Sequence, residues 1–300
     1  MKKTCIQRIN RWNNLNASGF RSGFLLDNMS CIPEFAWSIF KLSSKVERCV
    51  RLRRDSDGLE RDFGFNGAVL DTVAIVHWLS GSNAFLVTIY DQSGNDNHAI
   101  ESRAPNQLAF HASGGENNLP YFTQRATSET TTAYLLSISN DSEHGNASVH
   151  WVNFYNTSFK SSRFTSVYGN NYLTKSAKSG LQGGMSSNYM DTVVFDKLVP
   201  GYDSFYLIIV NMREFDLPRN TIRAFMNSQT QQPSLHNSET KVDLEPELIN
   251  RLYRSTILNQ RCYGDMFFSN SLTSIDLVGL RGFTNKEFNT SITWSSEPQP

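Results

Sequence analysis

Val87-Thr88-Ile89-Tyr90-Asp91-Gln92-Ser93-Gly94-Asn95-Asp96-Asn97-His98-Ala99 is the stretch on which the reading of this chain turns. Its first part closes a strand, because Phe85 to Tyr90 (FLVTIY) is built from β-branched and aromatic residues, which fit a pleated, half-buried surface. Its second part is a run of acceptors. Asp91, Ser93, Asn95 and Asn97 can each take a backbone N–H and mimic a turn. Gly94 supplies a backbone geometry that a β-carbon penalises. Such a segment can fold back over the end of a sheet and satisfy its own amides. Asp91 to His98 is therefore expected to form a structural corner at the rim of a β-sheet.

The sequence upstream of this corner reads as short extended pieces separated by turn chemistry. Phe35 to Leu42 and Cys49 to Arg54 carry strand content, and Asp55-Ser56-Asp57-Gly58 is a turn by its Asp, Ser and Gly residues. Phe63-Gly64-Phe65 is a short extended piece, and Asn66-Gly67 is a tight hairpin turn. Asp71 to Leu79 is expected to be a short helix capped by Asp71 or Thr72, with Val73, Val76 and Leu79 at helical spacing and Ser80-Gly81 as its stop.

Downstream, strands are expected at Ala133 to Ser139, Val149 to Tyr155, Arg163 to Tyr168, Thr192 to Phe195, Phe205 to Met212, Thr221 to Met226 and Ser274 to Leu280. Phe205 to Val210 is apolar on both alternations, which predicts a central strand covered on both faces. A second helix is expected over Glu245 to Leu258, and residues 227–245 read as a long polar surface loop. Short strands at this rhythm are the mark of an antiparallel sandwich or barrel. Residues 1–24, basic and polar with Trp12, Phe20 and Phe24 as isolated anchors, read as an N-terminal arm. Residues 25–300 read as a single β domain.

Composition bounds the possibilities. The 300 residues include 20 Phe and 11 Tyr, enough bulky material to fill the space between two sheets. Lys plus Arg and Asp plus Glu both number 28, so no overall field favours nucleic acid. No apolar stretch reaches the length that crosses a bilayer, so no membrane insertion is expected. Lys2 and Lys3 are followed by no apolar run, so no secretory leader is read. The sequons at Asn16, Asn28, Asn140, Asn146, Asn156 and Asn289 then read as accidents of an Asn- and Ser-rich chain. Cys5, Cys31, Cys49 and Cys262 match no zinc spacing, and reduced thiols are expected. Arg48, Arg51, Arg53 and Arg54 read first as a solvated face of an outer strand, and second as a patch for phosphate or an acidic glycan.

The residues from Leu25 to Ile100 carry a resemblance. Leu25-Leu26-Asp27, Phe40-Lys41-Leu42-Ser43-Ser44, Val50 to Asp57, Asp62-Phe63-Gly64-Phe65, Leu70-Asp71-Thr72 and the corner occur in an order similar to a concanavalin A-like jelly-roll module of bacteriophage virion proteins, both tail fibres and capsid-attached proteins. The same segment resembles the catalytic domain of type B α-L-arabinofuranosidases, in which a Y-D-Q-S-G-N-x-N-H run follows a strand. The resemblance implies an all-β, antiparallel concanavalin A-like jelly-roll sandwich with one or two short helices. One sandwich serves lectins, hydrolases and virion parts alike.

Three functions follow as expectations. The first is a virion structural protein of a tail or capsid, made in the host cytoplasm, homo-oligomeric, partnered by other virion proteins and binding a host-surface glycan. The second is an arabinofuranosidase-like glycoside hydrolase. Such chemistry needs two carboxyl groups flanking the scissile bond; Glu214, Asp216, Asp265 and Asp276 are the available residues, and Asp265 is the one candidate acid. The third is a free carbohydrate-binding module stacking sugars on Trp151, Tyr168, Tyr172 and Tyr189.

The remaining residues have blander readings. Asp91, Gln92, Ser93, Gly94, Asn95, Asn97 and His98 read as a structural loop. A calcium ion on Asp91, Asn95 or Asp96 is the minor alternative, and no other cofactor is implied. His98 reads as a structural hydrogen-bonding group before a proton shuttle, His77 as half-buried packing beside Trp78, and Cys49 as a small core residue. Gly180 to Gly184 reads as a turn.

Overall fold

The computed structural model describes residues 23–123, 132–136, 147–154, 166–168, 171–176, 180–185, 191–195, 204–211, 250–254, 260–268 and 272–290. The expected strand at Thr221 to Met226, the polar loop 227–245 and nearly all of the arm lie outside these residues.

Helix α1 (Leu25–Asn28) leads into strands β1 (Phe35–Ser38), β2 (Arg48–Arg54), β3 (Glu60–Asn66) and β4 (Val69–Leu70), then helix α2 (Thr72–Leu79). Strands β5 (Ala84–Ile89), β6 (Ala99–Ile100), β7 (Ala109–His111), β8 (Tyr121–Thr123), β9 (Thr132–Leu136) and β10 (Ala147–Phe154) follow. The remainder holds β11 (Ser166–Tyr168), β12 (Asn171–Ser176), β13 (Gly180–Met185), β14 (Asp191–Phe195), β15 (Ser204–Asn211), β16 (Asn250–Arg254), β17 (Gln260–Phe268) and helix α3 (Ser274–Glu287).

The pairings are antiparallel, and they curl the sheet over on itself. β17 carries β1 along one edge, with Phe35 opposite Phe267 and Trp37 opposite Asp265, and β10 along the other, which in turn carries β15. β2 lies between β3 and β5. β5 passes through β7 and β8 to β17, and β3 passes through β4 to the bridge between Val69 and Phe40, just beyond β1. The strands thus close a circuit β17–β1–β4–β3–β2–β5–β7–β8–β17. A second branch leaves β5 through β6 and runs β9–β16–β11–β12–β13–β14. This is the antiparallel jelly-roll-like sandwich that the sequence implied.

Two aromatic groups fill it. Phe35 stacks on Phe267 at 5.8 Å, and Trp37 meets Phe122, which meets Phe110. On the other face of β10 and β17, α3 lies as a roof: Phe283 contacts Trp151 and Phe40, and Phe288 contacts Phe205, Phe40 and Tyr263. Trp151 donates its indole N–H to Thr284 Oγ1 at 2.9 Å. Adjacent strand residues point to opposite faces, so Trp151 faces the roof while His150 faces away from it.

The structure corrects several expectations. Ser274 to Leu280 is helix, not strand: Thr273 and Asp276 form a reciprocal capping box, and Leu277, Leu280, Thr284 and Phe288 are buried at helical spacing. Residues 250–254 of the expected second helix form β16, which is paired on both sides, by β9 and β11; strand partners override a local helical pattern. Gly180 to Gly184 is not a turn but most of β13, between β12 and β14. α2 is capped by Asp71, whose carboxylate accepts from Ala74 N–H, but it buries Ile75 and Leu79 and leaves Val73 and Val76 at 71% and 52% exposure. His77 is exposed, not half-buried, while Trp78 packs on Phe63. β2 is flanked on both sides and so is no outer strand. β15 pairs with β10 along its whole length.

Candidate functional site

The corner at Asp91 to His98 is built against the chain around β1. Asp91 Oδ1 accepts from Ala36 N–H and Ser93 N–H, both at 2.9 Å. Its Oδ2 accepts from the Ser93 hydroxyl at 2.6 Å and Asn97 N–H at 3.1 Å. Gln92 is buried and reaches across to the next segment: its Oε1 accepts from Leu42 N–H, and its amide donates to the carbonyls of Ser38 and Phe40. The amides of Asn95 and Asn97 donate to Pro33 and Glu34 carbonyls at 2.9 and 2.7 Å. Gly94 sits at φ +91°, where side chains are strained, and Asp96 at φ +59°. The motif therefore secures the edge of β1 that β17 does not reach. A calcium ion at Asp91 would have to displace these donors, and Asn95 and Asn97 present N–H groups to the neighbouring carbonyls. Among the described residues, no three His, Cys, Asp or Glu side chains cluster as a metal site.

His98 closes the corner. Its Nδ1 accepts from Asp91 N–H at 3.2 Å, which leaves the ring proton on Nε2. Burial holds its pKa below the usual 6.5, against the pull of Asp91 and Asp96, with Arg48 adding to the depression. The ring meets Tyr90 edge-on at 5.0 Å.

Tyr90 belongs to the outer layer formed by the arginine run. Its hydroxyl donates to Asp62 at 2.7 Å, and Arg51 grips the same carboxylate through Nε and Nη2 at 2.6 and 3.0 Å. The Arg51 hydrogen bond is the main reason that the Asp62 carboxyl lies below its ordinary range. Arg53 donates to Gln107 and lies over Phe85. Arg54 pairs with Asp57, donates to the Trp78 carbonyl and lies over the Trp78 ring. Arg48 lies over Tyr90, its guanidinium carbon 4.2 Å from the ring centroid, with Asp62 3.9 Å away.

The candidate acid lies elsewhere. Asp265 Oδ1, in β17, and His150 Nδ1, in β10, share a hydrogen bond of 2.9 Å. His150 is 1% and Asp265 0% exposed, between Phe267 and the strands opposite. A carboxyl and an imidazole in contact can pass a proton between them. His150 was not anticipated, although a polar residue inside the apolar alternation of Val149 to Tyr155 was a usable signal. Asp276 is structural: its carboxylate accepts from Ser30 N–H and hydroxyl and from Thr273 N–H and hydroxyl, tying α3 to the start of the domain. Trp151, expected as a sugar platform, is wholly buried beneath α3 and cannot stack on a solute. Tyr168 lies in β11 and Tyr172 in β12, on paired neighbouring strands. Tyr189, Glu214 and Asp216 fall outside the described residues. Cys31, Cys49 and Cys262 are buried, and burial pushes the Cys49 thiol far up.

No family model and no curated protein matches the chain. Several solved structures share its fold. Among them are an arabinofuranosidase complexed with arabinofuranosyl-α-1,2-xylobiose (TM-score 0.59, 15% identity), a GH54 α-L-arabinofuranosidase soaked with a cyclic sulfate inhibitor (0.59, 14%) and a variant of a GH54 α-L-arabinofuranosidase soaked with 4-nitrophenyl α-L-arabinofuranoside (0.55, 16%). These three cover 85%, 85% and 83% of this chain, which spans only 64%, 64% and 62% of theirs. Of the two resemblances read from the sequence, these structures bear on the arabinofuranosidase one, as a likeness of fold, and none of them is a virion protein.

Proposed function

We propose that this chain is a glycoside-hydrolase-like β-sandwich directed at α-L-arabinofuranosyl-bearing glycans. The observation that carries the reading is the shared fold over 85% of the chain with arabinofuranosidases that hold such ligands. In its hydrolytic form the reading gives Asp265 the role of proton donor, with His150 orienting its carboxyl; substrate would have to open this buried pair to reach it. The test is turnover of 4-nitrophenyl α-L-arabinofuranoside and of an arabinofuranosyl xylobiose by the full chain. Hydrolysis is expected, and Asp265→Asn, assayed below its own unfolding midpoint because the buried partner of His150 is altered, is expected to lower kcat by about 100-fold or more. Absence of both turnover and binding of either compound would overturn the reading.

A second reading is the glycan-binding part of a phage tail or capsid, and one observation supports its non-catalytic half alone. The buried carboxylates of the described residues, Asp91, Glu101, Asp265 and Asp276, are each engaged by protein donors. On this reading the chain binds arabinofuranosides or a host glycan without turning them over, assembles with its own copies and occurs in purified particles. Catalysis, or a monomer missing from particles, would remove it.

A further inference from the structure

The arginine run of β2 provides an acceptor for every guanidinium except one. Arg51 has Asp62, Arg53 has Gln107, and Arg54 has Asp57 and the Trp78 carbonyl. Arg48 makes no side-chain hydrogen bond among the described residues: Asp62 stands 3.9 Å from its Nη1, beyond hydrogen-bond range. Yet its position is well defined. The guanidinium lies over Tyr90 at 4.2 Å, and Tyr90 is held by its hydroxyl bond to Asp62 and by the edge of His98. Stacking on an aromatic face fixes the plane of a guanidinium and leaves its N–H edge pointing outward. The Arg48 side chain is 54% exposed, so a solute can reach that edge.

Arg48 and Arg51 share the carboxylate of Asp62, while Asp91 and Asp96 act on His98 and Glu60 on Arg51, so what an anion finds here is the outward guanidinium fork of Arg48 and not a local excess of positive charge. A planar fork of donors matches a carboxylate better than it matches a lone hydroxyl.

From this geometry we infer that Arg48, stacked on Tyr90 and backed by Arg51 and His98, is a subsite for the carboxylate of an acidic saccharide, a uronic acid residue on the bound glycan. The saccharide character of the ligand rests on the proposed function; the carboxylate rests on the unfilled Arg48 fork alone.

Calorimetric titration of the full chain with a glucuronic-acid-bearing xylo-oligosaccharide, and with the same compound methyl-esterified at the carboxyl, tests this. The acid is expected to bind about tenfold tighter than the ester, with the difference shrinking at high salt. Arg48→Gln is expected to abolish that difference while leaving the ester's affinity unchanged, and Arg48→Lys to restore part of it. In the NMR titration of His98, the acid form should raise the midpoint, because a bound anion offsets the Arg48 charge that helps to hold it down. Equal affinity of acid and ester, or a preference that survives in Arg48→Gln, overturns the inference. If arabinofuranosides bind and neither uronide does, the subsite alone fails; if no saccharide binds, the functional reading fails with it.

Discussion

Asp91 serves three separate needs with two oxygens: the free edge of β1 at Ala36, the tight turn at Ser93 and the return of the chain at Asn97. The sequence predicted such acceptors in this loop, but not that the main recipient would be a strand more than fifty positions earlier, since spacing carries no information about which edge lies nearby. His98 adds a pH dependence to the same corner. Its pKa is depressed in the folded protein, so the folded state prefers the neutral ring. Its stabilising contribution is therefore complete above the unfolded value near 6.5 and is lost as pH falls through the lower folded value. The urea midpoint is expected to decline over that acidic window, and the His98→Gln variant to lose that part of the decline. An NMR titration that placed the folded His98 midpoint above 6.5 would contradict the burial that causes the shift.

At the scale of elements, two glycines separate a backbone requirement from an incidental one. β2 shifts register against β3 between Arg48 and Val50, and there a β-carbon on Gly64 would lie 2.0 Å from the Glu47 carbonyl oxygen. A bulge brings one strand's backbone unusually close to the other. Gly64→Ala is expected to cost about 3 kcal/mol or more, the range of forced overpacking. Gly282, in α3, has nothing within 4 Å of its would-be β-carbon. Gly282→Ala is expected to stabilise by about 0.5–1 kcal/mol through helix propensity. Chemical denaturation of both variants checks the pair, and opposite signs are the expected result.

The elements also show where the sequence was readable. β5, α2 and the hairpin at Gly67 were legible because their signals are local: β-branched residues, a capping aspartate and a Gly in a tight turn. α3 was misread because Ile275 and Val278, both exposed, gave it a strand-like composition, while the Thr273 and Asp276 box was overlooked. β16 was unreadable locally because β9 and β11, both distant in sequence, make it a strand.

For the whole molecule, closure of the strand circuit makes the interior one cooperative unit. Cys31, Cys49 and Cys262 are buried in it, and burial suppresses the Cys49 thiolate. A thiol reagent is therefore expected to modify these three residues only as fast as the protein unfolds globally. Mass-spectrometric mapping along a denaturant series would show it, and early labelling of Cys49 alone would mean that the β1–β2 side opens by itself. The fold class was legible from the strand rhythm and the corner. The His150–Asp265 pair was not, because it forms only when β10 and β17 align, and no local pattern announces that register.

The union of β1 with β17 has a consequence for synthesis. Ser38 and Tyr263, joined across that seam, are 225 positions apart, so the first strand emerges from a ribosome long before its partner exists. An unpaired apolar strand is an aggregation hazard during that interval. The loop that follows β5 is made early and carries the side chains that occupy the opposite edge of β1. It can therefore act as a built-in escort, holding the Ala36 amide and the Ala36 and Ser38 carbonyls while the nascent chain waits for β17.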